Sequence, residues 1–87
     1  MNIYSKWDSD SDIYAYIKDG SLYIHTIKDA ERDTPPIKID GTNILRILSI
    51  EPKRLASYLG IRLRKSQVPN LIRIIKKYNE TIKKKER

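Results

Sequence analysis

The side chains able to do directed chemistry gather towards the C-terminal end: Arg62, Arg64, Lys65, Ser66, Gln67, Asn70, Arg73, Lys76, Lys77 and Lys84. Guanidinium and ammonium groups neutralise phosphate, whereas Gln, Asn and Arg carry the paired donors and acceptors that match base edges. The set therefore fits non-covalent binding of a polyanion. Gln67, Asn70 and Arg73 are the candidates for directed contacts. Lys76, Lys77, Lys83, Lys84 and Lys85 would neutralise backbone charge without reading it. A second set, Tyr14, Tyr16, Tyr23 and His25, falls on alternate positions of a strand-like stretch, and exposed aromatics of this kind form partner-binding patches.

Covalent and metal chemistry find little support. The chain has no Cys and a single histidine, His25, with no nucleophile or metal-ligand motif around it. Asp8, Asp10 and Asp12 have the alternate spacing of a calcium loop. However, Ile13 stands where that loop requires Gly, and Asp19 where it requires Glu. A solvated acidic turn is the expectation, with no enzyme activity, no metal and no cofactor.

At 87 residues the chain is expected to be one small domain whose core is apolar packing alone. Fifteen Ile, eleven Lys, one Gln and one Met make a composition low in thermolabile residues, as in a thermophile or an AT-rich genome. No basic start followed by an apolar run, and no long uncharged apolar stretch, is present, so the expected location is the cytoplasm. Charge is unevenly distributed. Residues 1–43 hold five cationic residues against eight acids, a net −3, while residues 44–87 hold thirteen against three, a net +10. The total is +7. Such a half attracts polyanions: nucleic acid, an acidic protein or an anionic membrane. The membrane is disfavoured because the last helix has no Trp or Phe on its apolar face, and that face is needed to close the core.

The elements that must position these residues divide at about residue 41. Residues 1–12 are expected to form a loosely ordered arm, with Ile3, Tyr4 and Trp7 as its anchors. Residues 13–40 read as a β-hairpin and a short third strand. Asp19-Gly20 supplies the positive φ angles of a type I′ turn, which pairs Lys18 with Ser21 and Tyr14 with His25. Ile13, Ala15, Ile17, Leu22 and Ile24 then share the core face, and Ile37 and Ile39 extend it. The segment from Ala30 to Lys38 reads as a polar loop because its two prolines cannot donate to a ladder. Residues 42–84 read as three helices. Thr42 is the expected N-cap of the first, Pro52 opens the second, Gly60 ends it, and Ser66 caps the third. At about 100° per residue, Val68, Leu71, Ile72, Ile75, Tyr78 and Ile82 gather on one side of the third helix. Residues 85–87 are expected to fray. The expected fold class is α+β, an antiparallel sheet of two or three strands followed by a three-helix bundle.

Three short helices with Ala56 in the second, Gly60 at its end, and Ile61, Val68 and Leu71 as buried contacts resemble the helix-turn-helix family over residues 42–84, its winged-helix-like members included. Ala56 would let the helices approach and Gly60 would make the turn. The resemblance implies a DNA-binding module whose third helix enters the major groove with its N-terminal end towards the bases. Arg62, Arg64 and Lys65 would then meet phosphate beside that end. Double-stranded DNA is the expected target, with RNA and single-stranded DNA left open. The aromatic hairpin face offers an alternative: an accessory subunit docked on a polymerase, ribosome or similar assembly, or a homodimer seam. In that setting His25 is a packed strand residue.

Overall fold

The computed structural model describes residues 12–85, with side chains to Lys83. The anchors expected at Ile3, Tyr4 and Trp7, the acidic pair Asp8 and Asp10, and the tail at 86–87 lie outside the described residues. The fold is α+β: a three-stranded antiparallel sheet followed by helices. Strands β1 (Ile13–Lys18) and β2 (Ser21–Thr26) form the expected hairpin, with Lys18 opposite Ser21 and Tyr14 opposite His25. Asp19 and Gly20 both have positive φ, 52° and 81°, as a type I′ turn requires. Strand β3 (Ile37–Ile39) adds to β2, placing Ile39 opposite Leu22 and Lys38 opposite Tyr23.

The stretch after β2 departs from the expected loop. Helix α1 (Ile27–Glu31) begins directly at the strand end. Thr26 is its N-cap, its hydroxyl accepting from the Asp29 N–H at 3.1 Å, so a β-branched strand residue doubles as a helix start. The helix closes with Thr34 N–H donating to Asp29 O and Asp33 N–H to Ala30 O, around Asp33 at φ 57°. Those two bonds make a Schellman ending, with Asp in the left-handed position that Gly more often takes.

Helix α2 (Ile44–Leu48) buries Ile44 and Ile47. Its N-cap is Asn43 rather than Thr42. The Thr42 hydroxyl and N–H instead both donate to Asp40 Oδ1, and Asn43 Oδ1 accepts from the Asp40 N–H. An Asx turn thus competes successfully for the capping hydroxyl. The Thr42 hydroxyl, then the Thr42 N–H, hold the Asp40 carboxyl below its ordinary range.

Helix α3 (Pro52–Leu59) starts at Pro52 and ends at Gly60 with φ 74°; Ile61 N–H reaches back to Ala56 O and Gly60 N–H to Ser57 O. A 3₁₀ turn (Lys65–Gln67) then leads into the long helix α4 (Val68–Lys85). This turn, with no capping side chain, replaces the cap expected from Ser66, which is exposed.

Helix α4 packs against β1, α2 and α3. Its Leu71, Ile74, Ile75 and Tyr78 join Ala15, Leu22, Ile24, Ile39, Ile44, Ile47 and Leu55 in one hydrophobic cluster. Ile74 was not expected in the core, whereas Val68, Ile72 and Ile82 are only half-buried. The buried stripe is thus rotated towards Ile74, because the helix contacts the sheet on one side and α2 and α3 on the other. Tyr78 is 1 % exposed, and its hydroxyl donates to Gly20 O at 2.6 Å. One bond therefore ties the middle of α4 to the hairpin turn. Burial, and secondarily the Asp40 charge, pushes the Tyr78 hydroxyl above its ordinary pKa.

Candidate nucleic-acid interface

The amphipathic pattern of α4 leaves Arg73, Lys76, Lys77 and Lys83 on its exposed side. Glu80 is the only acid between residues 52 and 85. Residues 73, 76, 77, 80 and 83 recur at helical spacing, so their side chains form a ridge on the face opposite Leu71, Ile74, Ile75 and Tyr78. Arg73, Lys76, Lys77 and Glu80 line a shared surface depression with Pro69 and Ile72. Lys84 falls in the last turn of the helix, and its side chain lies outside the described residues.

The basic turn before α4 is held differently from the sequence expectation. Arg64 donates to Asp12 from Nε at 2.6 Å and from Nη2 at 3.2 Å. Arg62 places its Nε 3.9 Å from Asp29 Oδ1, and its backbone N–H donates to Asp29 Oδ2 at 3.3 Å. The Asp29 side chain is only 3 % exposed, whereas both arginines are more than half exposed. Two of the three cations assigned to phosphate are therefore engaged by acids of the N-terminal half. Asp12 belongs to the folded unit rather than to an arm: its carbonyl also accepts from Ile27 N–H at 2.8 Å. Lys65 is exposed and has no acidic partner among the described residues.

The residues expected to read base edges form a chain with one another. Gln67 is buried, 7 % exposed, with Oε1 accepting from Asn70 Nδ2 at 2.9 Å. Asn70 Oδ1 in turn accepts from Arg73 Nη2 at 3.2 Å. Gln67 thus faces the protein, Asn70 is half-buried, and Arg73 alone of the three is exposed. The start of α4 turns inward here because Gln67 sits at the end of the 3₁₀ turn, one residue from the helix that packs on α3. Helical spacing by itself does not show that inward turn.

Sequence reasoning also missed the contribution of α3. Lys53 and Arg54 are exposed on it, opposite buried Leu55. Lys53 and Lys65 border one groove together with Pro52, Ala56, Leu63, Val68, Pro69 and Ile72. The signal was present as adjacent cations after Pro52, on the polar side of a short amphipathic stretch.

The aromatic set is brought together as expected. Tyr16 and Tyr23 stack across the hairpin with centroids 5.3 Å apart and planes 9° apart, and Tyr14 lies 5.6 Å from Tyr16 at 54°. All three are half-buried. Lys38 of β3 stands opposite Tyr23, so a cation borders the aromatic row. His25 is also half-buried, and its Nε2 lies 2.6 Å from Thr34 O, a bond that ties β2 to the end of α1.

Among the described residues no group of His, Asp and Glu is placed to hold a metal ion. No described helix is long and apolar enough to cross a membrane. Compared with protein-family models, with curated proteins and with solved structures, the chain matches none.

Proposed function

We propose that this chain binds nucleic acid without catalysis, double-stranded DNA first, as a small basic cytoplasmic module of helix-turn-helix type. The observation that carries the reading is the outward ridge of α4, where Arg73, Lys76, Lys77 and Lys83 are interrupted by one acid. Lys65 and Lys53, which share a groove with Pro69 and Ile72, extend the same charge towards α3. A ridge of one sign on a helix about 27 Å long suits the spacing of phosphates better than it suits a compact anion. Because Gln67 is buried and Asn70 is occupied by its neighbours, binding rests on phosphate neutralisation, with Arg73 the exposed member of the Gln67, Asn70 and Arg73 set that could make a paired contact to a base.

The experiment is a fluorescence anisotropy titration of duplex DNA, single-stranded DNA and RNA of equal length at two salt concentrations. The expected result is preference for the duplex and an affinity that falls steeply with salt, with a logarithmic slope of about −4 if roughly four phosphates are neutralised. Salt-independent binding, or none, would remove the proposal.

The stacked Tyr16 and Tyr23 with Tyr14 beside them favour a second reading, an accessory subunit that docks through the hairpin onto a larger nucleic-acid machine. Under that reading the isolated protein binds nucleic acid weakly and copurifies with a large assembly.

A further inference from the structure

Between α3 and the start of α4 the surface opens into a groove of about 770 Å³. Its lining is mainly apolar, with Pro52 and Ala56 from α3, Leu63 from the turn, and Val68, Pro69 and Ile72 from α4, and includes Ser57. Lys53 and Lys65 stand at its border. Beyond Pro69 and Ile72 the adjoining depression continues with Arg73, Lys76 and Lys77 and one acid, Glu80.

We propose that this groove docks an acidic amphipathic helix of a partner protein, its apolar side chains seated on Ala56, Leu63, Val68 and Ile72 and its carboxylates facing Lys53, Lys65, Arg73 and Lys76. Two features select that chemistry. A polyphosphate backbone has nothing to place on an apolar floor, whereas a helix carrying apolar residues at i, i+3 and i+4 removes that surface from water. No acid lines the groove itself, Glu80 is the single acid of the adjoining depression, and Lys65, Arg73 and Lys76 have no acidic partner among the described residues. Lys53 has only an exposed contact with Glu51 at 3.8 Å, which a partner carboxylate displaces at little cost. The border therefore repels cationic segments and attracts acidic ones.

The groove is also short. The eight residues of α3 extend about 12 Å, so the occupant supplies roughly two helical turns, and modest affinity follows from that small area. Such an occupant differs from nucleic acid in requiring apolar anchors, which phosphate binding does not.

The test titrates the full chain, isotope-labelled for NMR, with a synthetic peptide of about 14 residues carrying Leu at i, i+3, i+4 and i+7, a few Glu beside them, and Ala and Gln elsewhere so that it is helical. The expected result is saturable binding on the order of 10–100 µM, with shifts centred on the amides of Ala56, Leu63, Val68 and Ile72. Replacing the Leu residues of the peptide by Ser should abolish it. Ala56→Glu should weaken it at least about tenfold, and so should the exposed double variant Lys53→Glu/Lys65→Glu, which leaves the core untouched. Equal binding of the Ser peptide would reduce the effect to general polyanion attraction and overturn the proposal. Shifts confined to Arg73–Lys83, or no binding, would overturn it too. The same shifts appearing with protein concentration alone would assign the groove to a second copy and equally overturn it. Duplex binding by the unaltered chain, measured in parallel, keeps failure of the nucleic-acid reading separate from failure of this one.

Discussion

Arg64 and Asp12, 52 positions apart in the chain, are joined by a two-pronged ion pair, Nε to Oδ2 at 2.6 Å and Nη2 to Oδ1 at 3.2 Å. The carboxylate occupies the guanidinium edge that would otherwise grip a phosphate, since both anions match the same fork of donors. The Asp12→Ala variant should therefore bind duplex DNA about two- to fivefold more tightly at low salt, from the loss of one negative charge and the release of one arginine. The cost in stability should stay below about 1 kcal/mol because Arg64 is half exposed. Anisotropy titration and urea unfolding of the same sample check both halves. Unchanged or weaker binding would mean that Arg64 does not meet the ligand.

The α4 ridge makes a sharper demand. Replacing Arg73 and Lys76 together by Ala removes two exposed cations without touching the buried stripe. The salt dependence of duplex binding should become shallower by about two units of logarithmic slope. A loss of affinity at unchanged slope would point to a structural effect instead.

Gln67 and Asn70 separate structure from recognition. Gln67 is buried and accepts from Asn70 Nδ2 at 2.9 Å, so Gln67→Ala should cost about 1–2 kcal/mol of stability by stranding that amide and leaving a gap. Discrimination among duplex sequences should stay the same. Urea unfolding measures the first quantity, and competition with duplexes of different sequence the second. A large change in discrimination at native stability would restore Gln67 as a reader of base edges.

Tyr78 links the fold to pH. Its hydroxyl is buried, donates to Gly20 O at 2.6 Å, and titrates above the ordinary 10.0. The neutral form is thus favoured by the folded chain. Its contribution is complete below pH about 10, where the unfolded phenol begins to ionise, and is lost as pH rises through the higher folded value. Tyr78→Phe should lower stability by about 1 kcal/mol at neutral pH and flatten the alkaline decline. Urea midpoints between pH 7 and about 11 compare the two chains. An equally steep decline in both would assign it to other groups.

Much of this architecture was legible in the residue pattern. Asp19-Gly20 specifies its turn through local backbone sterics, and alternation then places Tyr14, Tyr16, Tyr23 and His25 on one face. Pro52 and Gly60 mark α3 for equally local reasons, a fixed φ at one end and a left-handed residue at the other. Helix α1 was less visible because Thr26 suits a strand as well as a cap, and only the Asp29 N–H bonded to its hydroxyl decides which.

The residue order alone determined the hairpin and its register, the ends of α3, the amphipathic character of α4 and the concentration of positive charge after residue 44. These follow from steric preferences and periodicities that act within a few residues of one another. Only the tertiary structure decided which cations remain available: Arg62 and Arg64 meet Asp29 and Asp12 from the far end of the chain, and Gln67 turns into the interior. The groove between α3 and α4 was decided there too, since its floor is assembled from three separate segments. Coulomb attraction and burial act on distance in space, which the chain sets only once α4 has packed against the sheet and α3.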